Sequence, residues 1–144
     1  MKITLITVGK LKEDYLRKAC AHYTEALSGR AELSIVEVAD ENTEGNRDAV
    51  LRTEGERILK KISPGQYVTA LAIDGKIMDS DALSKKLRSL RLSGKNDFVF
   101  IIGGSMGLSP EVLSRSDFRL SFSPMTFPHQ VMRIMLLDAL TSVV

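Results

Sequence analysis

The chain has 144 residues, 44% of them apolar and 26% charged, with a single cysteine and no tryptophan. These are the proportions of one ordinary globular domain, which at this length buries roughly 68–70% of its unfolded surface and needs no staples. Disordered, collagenous and disulfide-rich classes are excluded. Twenty Lys and Arg against eighteen Asp and Glu leave a net charge of +2 and a pI near 8.7, too mild for a non-specific nucleic-acid binder, whose pI usually exceeds about 9.

The basic excess is N-terminal. Residues 1–30 carry six basic groups (Lys2, Lys10, Lys12, Arg17, Lys18, Arg30) against three acidic ones, whereas residues 98–144 carry three of each. The excess suits either a modest phosphate contact or a solvated helix face. Cys20, being alone, excludes an internal disulfide and a Cys-based zinc site, and its place in a helical stretch reads as a buried, inert thiol. The apolar segment 3–8 is too short for a signal-peptide core and is followed by Lys10, Lys12, Glu13 and Asp14. The longest apolar run, 98–102, is far short of a membrane span. A cytoplasmic protein is expected.

In chain order, residues 3–8 read as a strand ended by Gly9. A helix over 13–28 has Tyr15, Leu16, Ala19, Tyr23, Ala26 and Leu27 at helical spacing and Gly29 as its C-terminal cap. Residues 33–39 form a second strand, 40–46 an acidic, polar loop, and 48–62 a helix with its charges outward, stopped by Ser63-Pro64-Gly65. A third strand, 67–73, closes at the Asp74-Gly75 turn signal, and Ser80 caps a helix running to Leu92. The continuous apolar run 98–102 reads as a strand buried on both faces. Ser109-Pro110-Glu111 opens a short helix, 118–122 is a short strand, 123–127 a loop, and 128–144 a final helix. Five strands alternating with helices predict a single α/β domain with a mostly parallel sheet flanked by helices. Ligands in such sheets sit beyond the carboxyl ends of the strands.

Two loops occupy those places. Gly103-Gly104-x-x-Gly107 follows the buried strand and lets backbone approach a ligand without Cβ obstruction; a tight turn with no ligand is the alternative. Its spacing is not the G-x-G-x-x-G of a dinucleotide fold. The segment from Ser121 to Gln130 places hydroxyls, aromatics and the stiffening Pro124 and Pro128 before an apolar helix. It reads either as a binding loop or as a structural loop in which Thr126 and His129 help cap that helix. The last helix is apolar nearly all round, which predicts burial, in part against a second subunit. Its charges are Arg133 and Asp138; Arg133 suits an anion or a structural salt bridge. With two histidines and no Walker lysine, nucleophile elbow or Cys–His pairing, no catalytic metal or covalent nucleophile is expected.

Val8-Gly9-Lys10, Leu71-Ala72-Ile73-Asp74-Gly75-Lys76, the run 98–102 with its glycine loop and Leu108-Ser109, and Met125-Thr126-Phe127-Pro128-His129-Gln130 occur in this order. Together they resemble the RlmH (YbeA) family of bacterial large-subunit rRNA pseudouridine N3-methyltransferases, over essentially the whole chain. The resemblance implies a SPOUT-type α/β fold with a C-terminal trefoil knot, a homodimer, and S-adenosyl-L-methionine as methyl donor to N3 of pseudouridine1915 of 23S rRNA in the assembled ribosome. By motif match it places the cofactor at Leu71, Gly103, Phe122, Ser123, Pro124, Met125, Thr126 and Phe127. No metal is implied, because the sulfonium donor is already activated and what the protein must add is positioning and electrostatics. The match departs at the end: Thr141 and Ser142 stand where the family has a Tyr-Arg pair, and the sequence stops at Val144, before the family's Tyr-His-Lys or Tyr-His-Arg tail. The expectation is thus a kept cofactor pocket with no catalytic residue assigned, His129 being a poor base at a helix start. The alternative is a catalytically impaired ribosome- or RNA-associated dimer.

Overall fold

The computed structural model describes residues 1–42 and 45–144, so Thr43 and Glu44 of the predicted 40–46 loop lie outside the described residues. In chain order the elements are β1 (Lys2–Val8), α1 (Asp14–Ser28), β2 (Glu32–Val38), α2 (Arg47–Leu59), β3 (Tyr67–Ile77), α3 (Ser80–Leu92), β4 (Asp97–Ile102), α4 (Pro110–Arg115), β5 (Phe118–Ser121) and α5 (His129–Val143). The strands form one sheet in the order β2-β1-β4-β3-β5, and every neighbouring pair is parallel.

The two-residue period of the strands sorts the core into two layers. Ile3, Leu5, Phe98 and Phe100 face a cluster completed by Leu27 of α1, Leu83 and Leu87 of α3, and Leu136, Leu137 and Leu140 of α5. Ile6, Val8, Val99 and Ile101 face the other way, onto Ile58 of α2 and Val112 of α4. Burial on both faces is what makes β4 a continuous apolar run rather than an alternating one. Local chemistry sets the helix starts. Asn46 accepts from the Asp48 and Ala49 amides, and Ser109 accepts from the Val112 amide ahead of Pro110.

Four local expectations are corrected. β3 does not close at Asp74-Gly75: its pairing with β5 shifts register after Leu71 and resumes at Lys76 and Ile77. Gly75 permits this, because a Cβ there would stand 2.8 Å from the Arg119 carbonyl carbon and oxygen; two backbones touch where any side chain would part them. The cap of α3 is Asp79, which accepts from the Ala82 amide, and not Ser80. Gly29 ends α1 in a right-handed conformation, φ −82°, so its glycine character is not what stops that helix. The helix over 48–62 ends at Leu59, and not all its charges face outward, since Glu54 is buried.

Helix α5 packs on α1 and α3. Beside that contact runs an apolar groove of about 550 Å³ lined by Tyr23, Met78, Leu83, Phe122, Val131, Ile134, Met135 and Asp138. Cys20 is buried on α1 as a free thiol. Among the described residues no helix is long and apolar enough to cross a membrane.

Hydrogen bonding to the Asp138 carboxylate, with its negative charge and some desolvation, pushes the Tyr23 phenol up from its ordinary value of 10.0. The folded value lies above the unfolded one, so the interaction contributes fully below the ordinary phenol range and fades as pH rises through the folded value. In a tyrosinate absorbance titration, Asp138→Asn is expected to lower the pH at which the Tyr23 phenol ionises.

Candidate functional site

The carboxyl ends of β4, β3 and β5, neighbours in the sheet, carry the segments singled out from sequence. Leu71 lies on β3, Gly103 directly after β4, and residues 122–127 follow β5. Leu71, Gly103, Phe122, Ser123, Met125, Thr126 and Phe127 surround one recess of about 140 Å³. Among the described residues Pro124 does not line it. Gly104, Gly107 and His129, from the two loops the sequence singles out, also face the recess, as do Ile102, Leu108, Leu120 and Met132, which sequence reasoning did not assign to a site. Ile102 and Leu120 lie at the ends of β4 and β5 and Met132 on α5, positions whose apolar residues carry no signature of their own.

The recess opens into a wider cleft of about 850 Å³, which shares Leu71, Ala72, Ile73, Gly104, Gly107, Leu108, Thr126, Phe127 and His129 and adds Arg47, Asp74, Ser105 and Met106. The narrow part alone is below the roughly 300–1,000 Å³ of small-molecule sites, and the cleft falls within that range. An apolar inner wall with a polar outer rim fits a ligand with a flat apolar ring and a charged end.

The glycine loop closes on itself. The Gly107 amide donates to Gly104 O at 3.1 Å, Gly107 has φ +88°, and Arg47 Nη2 donates to Met106 O at 3.2 Å. A Cβ at Gly103 would stand 2.4 Å from Gly107 O, so the loop keeps this shape only with glycine there. A Cβ at Gly104 would stand 3.2 Å from Val8 Cγ1 and 3.3 Å from Glu54 Oε1. The buried Glu54 carboxylate is not idle. Its Oε2 accepts from the Glu41 amide at 2.9 Å, holding the segment after β2 beside the glycine loop. Arg57 reinforces this by donating to Ala39 O at 2.9 Å and pairing with Glu41.

The loop over 122–127 is braced from within and from its far end. Ser121 Oγ donates to Ser123 O at 3.0 Å, and the Met125 amide donates to Ser123 Oγ at 3.1 Å. Neither Thr126 nor His129 caps α5: Pro128 holds the cap position, without a side-chain cap hydrogen bond among the described residues. Side chains one turn further on fix the helix start instead. Gln130 Nε2 donates to Lys10 O at 3.0 Å. Arg133, 3% exposed, donates to Glu37 Oε2 at 2.7 Å and to Gly9 O at 3.2 Å. Of the two readings of Arg133, the structure shows the salt bridge.

Removing that arginine leaves a carboxylate and a carbonyl without their donors. Breaking a fully buried pair costs about 3–5 kcal/mol; Glu37 keeps 33% exposure, so Arg133→Met is expected to cost about 2 kcal/mol in urea unfolding, after solvent screening is allowed for. Gly103→Ala is expected to lose about 1–3 kcal/mol through backbone displacement. Gly29→Ala, where nothing lies within 4 Å and φ is helical, is expected to be neutral or to gain about 0.4–1 kcal/mol in the same assay.

Residues 1–141 match the family described as Predicted SPOUT methyltransferase. The chain is also similar to proteins named Ribosomal RNA large subunit methyltransferase H. It is 50% identical to that of Clostridium kluyveri over 143 residues, covering 96% of this chain and 90% of the relative. The protein of that name from Bifidobacterium adolescentis is 52% identical with the same coverage, and that of Carboxydothermus hydrogenoformans 47% identical. With a parallel α/β sheet, a glycine loop and a braced proline loop meeting at one cleft, and a match along nearly its whole length, the chain belongs to the SPOUT methyltransferase family.

Proposed function

We propose that this protein is an S-adenosyl-L-methionine-dependent methyltransferase of large-subunit rRNA, acting at N3 of pseudouridine1915 of 23S rRNA in the assembled ribosome. The observation that carries the reading is the identity of about half, across 143 residues, to relatives whose names state a large-subunit rRNA methyltransferase. The reading takes the chain as one domain working in the cytoplasm as a homodimer with the family's C-terminal trefoil knot. The half-buried apolar residues Val131, Ile134 and Met135 along the groove beside α5 support a second subunit there.

The cleft fits the donor. Its inner end, between Leu71, Leu120, Phe122 and Gly103, suits the adenine ring: apolar walls above and below a slot that a Cβ at Gly103 would disturb. The wider cleft beside Ser105, Asp74 and Arg47 suits the ribose and the charged amino-acid end. When bound, the donor supplies an activated methyl group on a sulfonium. The chain's own part is to hold that group at a fixed angle and to keep water from the apolar end, which is catalysis by positioning. Phe122, Ser123, Met125, Thr126 and Phe127 do this from a loop that Ser121 and Ser123 brace. Pro124 acts by stiffening that loop, not by lining the recess.

The test is calorimetric titration with S-adenosyl-L-methionine, followed by transfer of labelled methyl to ribosomes lacking the modification, with the labelled position mapped. Binding to the wild type, at least tenfold weaker binding to Gly103→Ala, and label at the 23S pseudouridine are expected. Absence of donor binding by a folded wild-type protein overturns the reading.

A further inference from the structure

A second recess of about 500 Å³ lies at the carboxyl edge of β1 and β2, lined among others by Gly9, Lys10, Lys12, Asp40, His129 and Gln130. We propose that it is a subsite for the phosphodiester backbone of the RNA substrate, with Lys10 and Lys12 as its phosphate-binding groups. This deepens the rRNA methyltransferase reading and rests on it.

Three observations carry it. The first is charge. Lys10 and Lys12 are exposed on either side of the buried Leu11, and neither forms a salt bridge among the described residues. Of the two carboxylates lining the recess, Glu37 is taken by Arg133 at 2.7 Å, which leaves Asp40 facing two free ammonium groups. The surplus of basic residues before position 30 is therefore not spread evenly over solvated helix faces: two of its members stand unpaired in one concavity. Compact ammonium groups on flexible stems bind phosphate as point charges.

The second observation is place. His129 lines this recess, the narrow donor recess and the wide cleft, so a strand lying across His129 reaches from one site to the other. A nucleotide entering the donor cleft then has its neighbours' phosphates at the turn between β1 and α1. The third is rigidity. Gln130 holds Lys10 O at 3.0 Å and Arg133 holds Gly9 O at 3.2 Å, so the turn carrying the lysines is bonded to the helix that ends the donor loop. The spacing between the two sites is fixed by the fold and is not set by a free loop.

The anion bound here has two candidate sources, the RNA backbone or the carboxylate of the donor itself, and the experiment separates them. Binding of purified assembled ribosomes lacking the methyl group is measured over a range of salt, beside calorimetry with S-adenosyl-L-methionine, for the wild type, Lys10→Ala/Lys12→Ala and Lys10→Arg/Lys12→Arg. Each lost phosphate contact lowers the slope of log affinity against log salt by about 0.7–0.9. The alanine double variant is therefore expected to bind ribosomes about tenfold or more weakly at low salt, with the slope reduced by about 1.4–1.8. Its donor affinity should be unchanged, and the arginine variant should restore the slope. An unaltered slope in a variant that still binds donor overturns the subsite and leaves the methyltransferase reading standing. Loss of donor affinity overturns it by assigning the lysines to the donor. A wild type that binds donor but not assembled ribosomes removes the subsite, and one that binds neither removes both.

Discussion

Arg133 enters the protein interior from the first turns of α5 and ends against Glu37 on β2 and the carbonyl of Gly9 just past β1. A buried guanidinium is costly unless its charge is paired, and this one donates from both terminal nitrogens while its Nε stands without a partner among the described residues, so it admits very few positions for the helix that carries it. Fixing the start of α5 also fixes the last residue of the preceding loop, and that loop forms one wall of the cleft. Gln130, reaching Lys10 O, removes the remaining freedom of rotation about the helix axis. The middle of α5 contributes apolar burial through Leu136, Leu137 and Leu140. That burial is large but non-directional, so the polar contacts decide where along the sheet edge the helix begins.

The opposite wall depends on the absence of atoms. Gly103 and Gly104 lie where a Cβ would strike Gly107 O, Val8 or Glu54, and Gly75 lies where β3 rides over the backbone of β5. Gly103 and Gly75 each allow two backbone segments to approach within a distance that a Cβ forbids, and Gly104 leaves room for the Val8 and Glu54 side chains. The result is a cleft whose floor is β-strand ends and whose sides are close-packed loops, with little room for the sides to move independently. Glu54 adds an electrostatic clamp underneath, holding the Glu41 amide and so tying α2 and the end of β2 to the same place. In the function proposed above, a methyl donor held between two such walls would be oriented before any substrate arrives, which is the condition for catalysis by positioning.

Charge is distributed to match this arrangement. The narrow recess is lined mainly by apolar and small residues, while unpaired lysines stand one recess away, across His129. The net charge of +2 is small because most basic groups are offset by acids elsewhere. What matters to a polyanion is the local imbalance and its screening over roughly 8–10 Å at physiological salt, not the sum over the chain.

The sequence by itself determined the alternation of strands and helices, the doubly buried β4, the short α4 behind Ser109-Pro110, and the two loops that converge on the cleft. Each of these rests on a local rule: a period of two or 3.6 residues, a capping hydroxyl, a proline at the first turn, a glycine at a close approach. Tertiary structure alone decided the strand order β2-β1-β4-β3-β5, the partner of Arg133, the burial of Glu54, the continuation of β3 past Asp74-Gly75, and the meeting of Lys10 and Lys12 with His129. Arg133 and Glu37 are 96 residues apart, and Gly75 meets Arg119 through a pairing with no trace in the periodicity of either segment. Local rules arise from forces between residues a turn or a strand apart. The pairing of distant polar groups arises from desolvation, which acts only once the sheet has closed and the groups have been brought out of water together.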